Sequence, residues 1–576
     1  MMQDARLWSA TAVLLMAATA STLGRAGPQQ GIHEAAARGD IEEVRVLLDR
    51  DPQLVDARDR YGWSPLHRAS INGHADVVGL LIERGAQLEA RDNAGMSALH
   101  HAARSGSHEV ARRLVHAGAD VNAVSDEGAT PLALAVMGKH DRLTELLIAA
   151  GAVVPHEGER ARRLLHAAAA AGNGRFVGLM LSDGVDPGSL NDNGGSLLHS
   201  AAAGGDVELA RSLVERGFSL QARDRYRMTT LHVAAFEGHA ELVEQLIEAG
   251  ADPRASTPAG QTPLHFARLN GRDAVVELLA GLAGGGAAQP VLTDLAGDYF
   301  GQPPPGRSPE LLGLGIVSSY LNDHGALTFA PDGRAAYWSP ILAAGLTVLE
   351  MRREGDRWTV PEPAGFADPR FDDYSAVVSP DGARLFFTSR RPLETGGTPL
   401  PWLGGLRIWR VERQVEGWSA PRPLDASVSA GDEFALSVSA DGTLYFSSLR
   451  AGGLGSMDIY RARWQGGRFQ APENLGAAIN SEHTEDGPAV APDEGILVFG
   501  SFRPDGLGGS DLYVSFRAAD GSWTAARNLG TPINSSSFDG QPFLTRDGKY
   551  LIFASSRNGN RDYYWIDAAV LRDVRR

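Results

Sequence analysis

Two kinds of hydrophobic periodicity divide the chain. Up to about residue 285, apolar residues fall at helical spacing in short runs such as Val44, Leu47 and Leu48, or Val77, Val78, Leu80 and Leu81. From about residue 291 that period vanishes. Short apolar runs such as Leu385-Phe386-Phe387, Leu444-Tyr445-Phe446, Leu497-Val498-Phe499 and Leu551-Ile552-Phe553 take its place, most of them just after an Asp-Gly pair. Asp-Gly between two such runs is a strong hairpin signal. The pattern predicts a stack of short helices followed by an array of short strands.

The helical part repeats itself. Gly62-Trp63-Ser64-Pro65-Leu66-His67 returns 33 residues later as Gly95-Met96-Ser97-Ala98-Leu99-His100, then as Gly128-Ala129-Thr130-Pro131-Leu132-Ala133. Leu165-His166, Leu198-His199, Leu231-His232 and Leu264-His265 keep the register, and a degenerate first copy starts near Gln29. Pro65, Pro131 and Pro263 suit a first helical position, where a missing N–H costs nothing. Gly85, Gly118, Gly151, Gly184, Gly217 and Gly250 suit left-handed helix ends. This stretch resembles the ankyrin-repeat family over residues 29–285, with about eight copies. The resemblance implies an α-solenoid whose hairpin tips and first helices make a concave face that binds protein partners. Tyr61, Trp63, Tyr226 and Phe236 are the candidate contacts; the competing reading is that tip aspartates close the turns and the aromatics cover neighbouring repeats. The repeated His residues lie a full repeat apart, too far to share an ion at ligand distances of ~2 Å, so hydrogen bonding is expected of them. The copies at 128–193 depart from the pattern, with Ala133 in place of His and Val153-Val154-Pro155-His156 in place of a tip, which predicts a bend or a specialised site.

The strand part repeats too. Asp332-Gly333, Asp381-Gly382, Asp441-Gly442, Asp493-Glu494-Gly495 and Asp547-Gly548 mark five copies of about 50 residues, and four strands per copy make a propeller blade. Ser447-Ser448-Leu449-Arg450-Ala451-Gly452-Gly453-Leu454-Gly455-Ser456-Met457-Asp458 and the recurring Asn474-Leu475-Gly476 with Ile479-Asn480-Ser481 are similar to the PD40 (WD40-like) propeller family, related to the periplasmic TolB propeller. The resemblance covers residues 291–576 and implies a binding propeller. The fold class is therefore an ankyrin α-solenoid followed by a β-propeller. Five blades are counted, the last completed by Leu311, Gly313 and Ile316; the TolB relation gives six as the alternative. Residues 280–296, rich in Gly, read as a linker.

Acids recur seven to nine residues before each Asp-Gly: Asp323, Asp372 and Asp373, Asp432 and Glu433, Glu485 and Asp486, and Asp539. Such acids at the starts of innermost strands would ring one mouth of a central channel. They would there bind a peptide, a glycan, another envelope component or a divalent cation, or else tie one blade to the next through backbone N–H groups. Arg450 with Asp458, and Arg503 with Asp511, read as salt bridges within blades.

Composition narrows the classes. With no Cys there are no disulfides, thiolate metal sites or Cys nucleophiles, and a net charge of −16 argues against nucleic acid. The 68 Gly are what two families of turns require. Residues 7–24 carry no charge, and Ala18-Thr19-Ala20 is an A-x-A cleavage site, so residues 1–20 read as a signal peptide and the chain as exported, to a periplasm or beyond, with no later membrane span. His33-Glu34 and His108-Glu109 lack the second His of a zincin, and Gly138-Lys139-His140 fails as a phosphate loop. The expectation is a non-catalytic scaffold without a cofactor. The alternative is a glycoside hydrolase using the channel carboxylates.

Overall fold

The computed structural model describes residues 28–59, 61–126, 128–283, 292–319, 321, 325–368, 370–393, 405–415, 417–430 and 432–574. The predicted signal segment, Asp323 and residues 284–291 of the predicted linker lie outside these. The chain divides into two compact units, residues 1–222 with 244–250, and residues 223–243 with 251–576. The division between these units lies within the repeat array, whereas the change from helices to strands lies between Ala283 and Leu292. Residues 280–283 belong to a helix, Asp273–Ala283, and residues 292–296 to a strand, so the linker is shorter at both ends than composition suggests.

The first unit holds six helix pairs, from Pro28–Arg38 with Ile41–Arg50 to Leu197–Gly204 with Val207–Glu215. Three inner helices, those starting at Pro65, Ala98 and Leu197, open on a reciprocal box between a Ser cap and a third-position His. The Ser64 amide donates to His67 Nδ1 at 3.0 Å, and the His67 amide donates back to Ser64 Oγ. With Nδ1 an acceptor, Nε2 carries the proton and donates to the Met96 carbonyl of the next repeat at 3.1 Å. Ser97 and His100 repeat the arrangement, with the Ala129 carbonyl as acceptor. The histidines thus stitch successive repeats, as expected of them. The departing copy at 128–193 replaces its hairpin with a longer helix, Gly158–Ala170, of 13 residues. Glu159 accepts from Arg162 and Arg163, and Arg162 reaches Asp192 at 2.5 Å, fixing those extra turns.

The second unit combines the last repeats with a five-bladed propeller of antiparallel sheets. The second to fourth sheets order their strands as the chain does: Asp373–Val378 to Arg422–Pro423, Glu433–Val438 to Glu473–Asn474, and Glu485–Val490 to Arg527–Asn528. The fifth holds Asp539–Leu544, Tyr550–Asn558 and Asn560–Asp567, and takes its outer strand from Glu310–Leu311, where Leu311 pairs with Tyr564. The predicted closure by Leu311 is what the structure shows, and the count is five. Apolar side chains from facing sheets fill the gaps, as Phe386 and Ile408 do against Leu436, Phe446 and Tyr460. The hairpins follow from Ser/Thr-x-Asp-Gly: Ser379 and Ser439 donate to Asp381 and Asp441, whose carboxylates accept the Ala383 and Thr443 amides. No helix among the described residues is long and apolar enough to cross a membrane.

Candidate functional site

On the repeats, the tip aspartates close turns. Asp59 Oδ1 accepts the Tyr61 and Trp63 amides, and Asp224 Oδ1 accepts those of Tyr226 and Met228. Behind the tip, Arg68 pairs with Asp59 at 2.5 Å and His101 with Asp92 at 2.9 Å. Trp63 packs over both, 4.6 Å from the His101 ring and 4.5 Å from the Arg68 guanidinium. Tyr61 and Trp63 remain half-buried and reachable at the hairpin. Tyr226 and Phe236 do not: they are 1% and 4% exposed. Phe236 packs on Phe266, and the Tyr226 hydroxyl donates to Asp562 at 3.2 Å. These two candidates are corrected, because their surfaces are used inside the chain.

On the propeller, four of the eight candidate acids are consumed by a repeated clamp. Asp373, Glu433, Glu485 and Asp539 are fully buried. Each accepts from an arginine at or just past the end of the second strand, namely Arg391 at 2.6 Å, Arg450 at 3.0 Å, Arg503 at 3.3 Å and Arg557 at 2.7 Å. The same guanidinium donates to a carbonyl of the segment leading in from the previous blade: Phe366, Val428, Ile479 or Ile533. It also lies over the second-strand Phe, and in three blades over a third-strand Tyr, as Arg450 does over Phe446 and Tyr460 at 5.0 and 4.9 Å. Burial pushes Asp373 up even so, with Arg391 pulling the other way. A ring of four free ligand carboxylates is therefore corrected to four interior clamps.

The other acids tie blades together. Asp372 accepts the Leu346 amide of the two-stranded hairpin Ile341–Leu342 with Gly345–Leu346 and pairs with Arg390. Asp486 accepts from the Gln541 amide of the fifth sheet at 2.9 Å, and burial pushes its carboxyl up. Asp432 sits at φ 65 beside the buried Glu433. Asp323 lies outside the described residues. Among the described residues no three His, Asp or Glu side chains form a metal-holding group.

Arg450 and Arg503 do not pair with Asp458 and Asp511, a second correction. Asp458 accepts the Leu454 and Gly455 amides and the Asn474 side chain, at 2.6, 3.0 and 2.7 Å. Asp511 does the same with Leu507, Gly508 and Asn528. The loops so pinned present Leu454 and Leu507 to solvent, 52% and 51% exposed. Beside Leu454 runs an open cleft lined by Glu482, His483, Arg503 and Asp505. Two residues missed as site-builders are Asn480 and Asn534. Asn480 accepts the Ile459 amide and donates to the Ile459 carbonyl, and Asn534 brackets Leu512 identically. Their recurrence in Ile-Asn-Ser was the available signal.

The ankyrin-repeat family model matches three stretches, residues 13–92, 88–157 and 165–257. The serine/threonine-protein kinase VIK of Arabidopsis thaliana is 49% identical over 53 residues, 9% of this chain and 12% of the kinase. The 2-5A-dependent ribonuclease of Mus musculus is 38% identical over 53 residues, 9% of this chain and 7% of the ribonuclease. The probable E3 ubiquitin-protein ligase XBOS33 of Oryza sativa subsp. japonica is 39% identical over 69 residues, 12% of this chain and 13% of the ligase. The chain spans about an eighth or less of the length of these relatives, all within the repeat array.

Proposed function

We propose that this ankyrin-and-propeller chain is a non-catalytic binding scaffold. The repeats of the first unit take a protein partner through hairpin tips around Tyr61 and Trp63. The propeller takes a second protein, peptide or envelope ligand on the face carrying the Leu454 and Leu507 loops. The observation that carries the reading is the Arg clamp. It commits the inner-strand acids to holding blades in register, while the same face displays two leucines on loops pinned by Asp458 and Asp511. A rigid exposed leucine loses little entropy on binding, which favours recognition over chemistry. The PD40-like phrases and the leader-like N-terminal sequence support a binding propeller working outside the cytoplasm.

Crosslinking of the full chain in its host, with Trp63→Ala and Leu454→Ser/Leu507→Ser compared, tests this. Loss of one partner in each variant is expected. Partners unchanged in both variants overturn the assignment of faces. Turnover of a glycan panel by the wild type, abolished in Asp486→Asn, overturns the non-catalytic reading.

A further inference from the structure

In the last three blades an aspartate at or near the start of the third strand does one job in two of them and another in the last. Residues 449–457 and 502–510 are long enough to fold back and seal Asp458 and Asp511 with their own amides. In the fifth blade residues 556–561 are too few to do so. Asp562 instead accepts from the Tyr226 hydroxyl at 3.2 Å and from Arg225 Nη2 at 3.1 Å. Arg225 also donates to the Asn558 carbonyl at 3.2 Å, and the Asn560 amide donates to the Tyr226 hydroxyl at 3.1 Å. Asp562 is 0% exposed there. A repeat hairpin stands in for the missing loop.

The hairpin is altered to match. Asp59 and Asp92 have Arg68 and His101 nine residues on, whereas Asp224 has Val233 at that position. Arg225 is the guanidinium acting on both Asp224 and Asp562. Two buried carboxyls against one cation leave surplus negative charge where burial disfavours it, and a proton removes it. We propose that the contact between residues 223–228 and the fifth sheet is a latch that tightens when Asp562 takes up a proton from solvent.

The sign follows from burial, which lifts the Asp562 carboxyl from 3.8 to about 6 in the closed contact, and Asp224 to about 7. The closed state holds the proton more firmly than the open one, so closure strengthens as pH falls through about 6. Between pH 7.5 and 5 the gain from Asp562 is about tenfold. Of the other groups facing it, Arg557 is paired with Asp539, and burial pushes the Tyr226 hydroxyl up and that of Tyr564 up to about 12. Elsewhere in the contact, burial holds His265 down to about 4 beside Glu362, and this acts in the opposite direction. Burial raises Glu362 itself, which acts with Asp562.

The experiment therefore isolates Asp562. A protease site is written into residues 284–290, the full chain is folded and then nicked, and dissociation of its halves is measured at pH 7.5 and pH 5. Asp562→Asn, a neutral carboxyl mimic, is measured alongside, with both repeated on a Tyr226→Phe background so that dissociation falls in a readable range. Circular dichroism confirms that each variant is folded. The expected result is that the ratio of wild-type to Asp562→Asn dissociation constants falls about tenfold from pH 7.5 to pH 5. An unchanged ratio overturns the proposal, and so do wild-type halves that separate at once on nicking.

Discussion

Arg450 Nη2 stands 3.0 Å from Glu433 Oε1, a carboxylate with no exposed surface. That pair and its three counterparts hold the innermost strands of four of the five blades to the segments that lead into them. Breaking such a pair on one side leaves a buried charge uncompensated. Arg503→Met is therefore expected to cost the propeller about 3–5 kcal/mol in urea unfolding. Arg503→Met with Glu485→Leu is expected to cost less than the single change, since no charge is stranded.

Asn480 replaces a strand on the edge of Ile459, satisfying both its amide and its carbonyl. Asn480→Leu leaves the buried Ile459 amide without its acceptor, while the Ile459 carbonyl keeps the Leu475 amide at 3.2 Å. A loss of about 1–3 kcal/mol is expected, with Asn534→Leu close to it because the geometry at Leu512 is the same. Equal unfolding midpoints for wild type and variant would refute this.

The repeat histidines make the first unit acid-sensitive. Burial holds His67 and His166 neutral, down to about 4 from 6.5. The unfolded chain takes up protons below about 6.5 while the folded one does not, so stability present at pH 7 is lost as pH falls towards 4. For His67 the loss reaches about 3 kcal/mol at pH 4. His67→Asn is expected to flatten the fall in denaturant midpoint between pH 6.5 and 4; an unaltered slope would show that His67 protonates freely.

Arg227 occupies, at φ 66, the turn position that Gly62 and Gly95 fill at φ 73 and 70. A side chain in the left-handed region costs about 1 kcal/mol. Its side chain carries no described hydrogen bond, whereas its carbonyl accepts from Arg223 at 2.6 Å, which glycine keeps. Arg227→Gly is expected to raise stability by about 0.5–1 kcal/mol, read as a higher melting temperature.

Much of the architecture was legible because repetition amplifies weak local signals. Thr-Pro-Leu-His at a constant step identifies helix starts, and the missing outer strand of the fifth copy points to Leu311. The partner of Arg450 was not legible. Asp458 is eight residues away and Glu433 seventeen, but sequence distance is no guide when a second strand lies antiparallel to the first and brings Ser448 opposite Glu433. Nor was the burial of Tyr226. Its hairpin matches that of Tyr61 in Asp-Arg-Tyr; Val233 in the place of Arg68, and a tight turn at Gly559 far along the chain, distinguish their surroundings.

The pairing of Leu311 with Tyr564 also has a consequence in time. Each ankyrin pair can settle on its predecessor as it leaves the ribosome, since its contacts are with the repeat before it. The propeller has no such freedom: its ring stays open until residues 560–567 have been made, and closing it brings together strands from opposite ends of the array. Synthesis thus presents a folded helical stack well before a finished ring. Through that interval the apolar edges of four blades depend on the cell for protection.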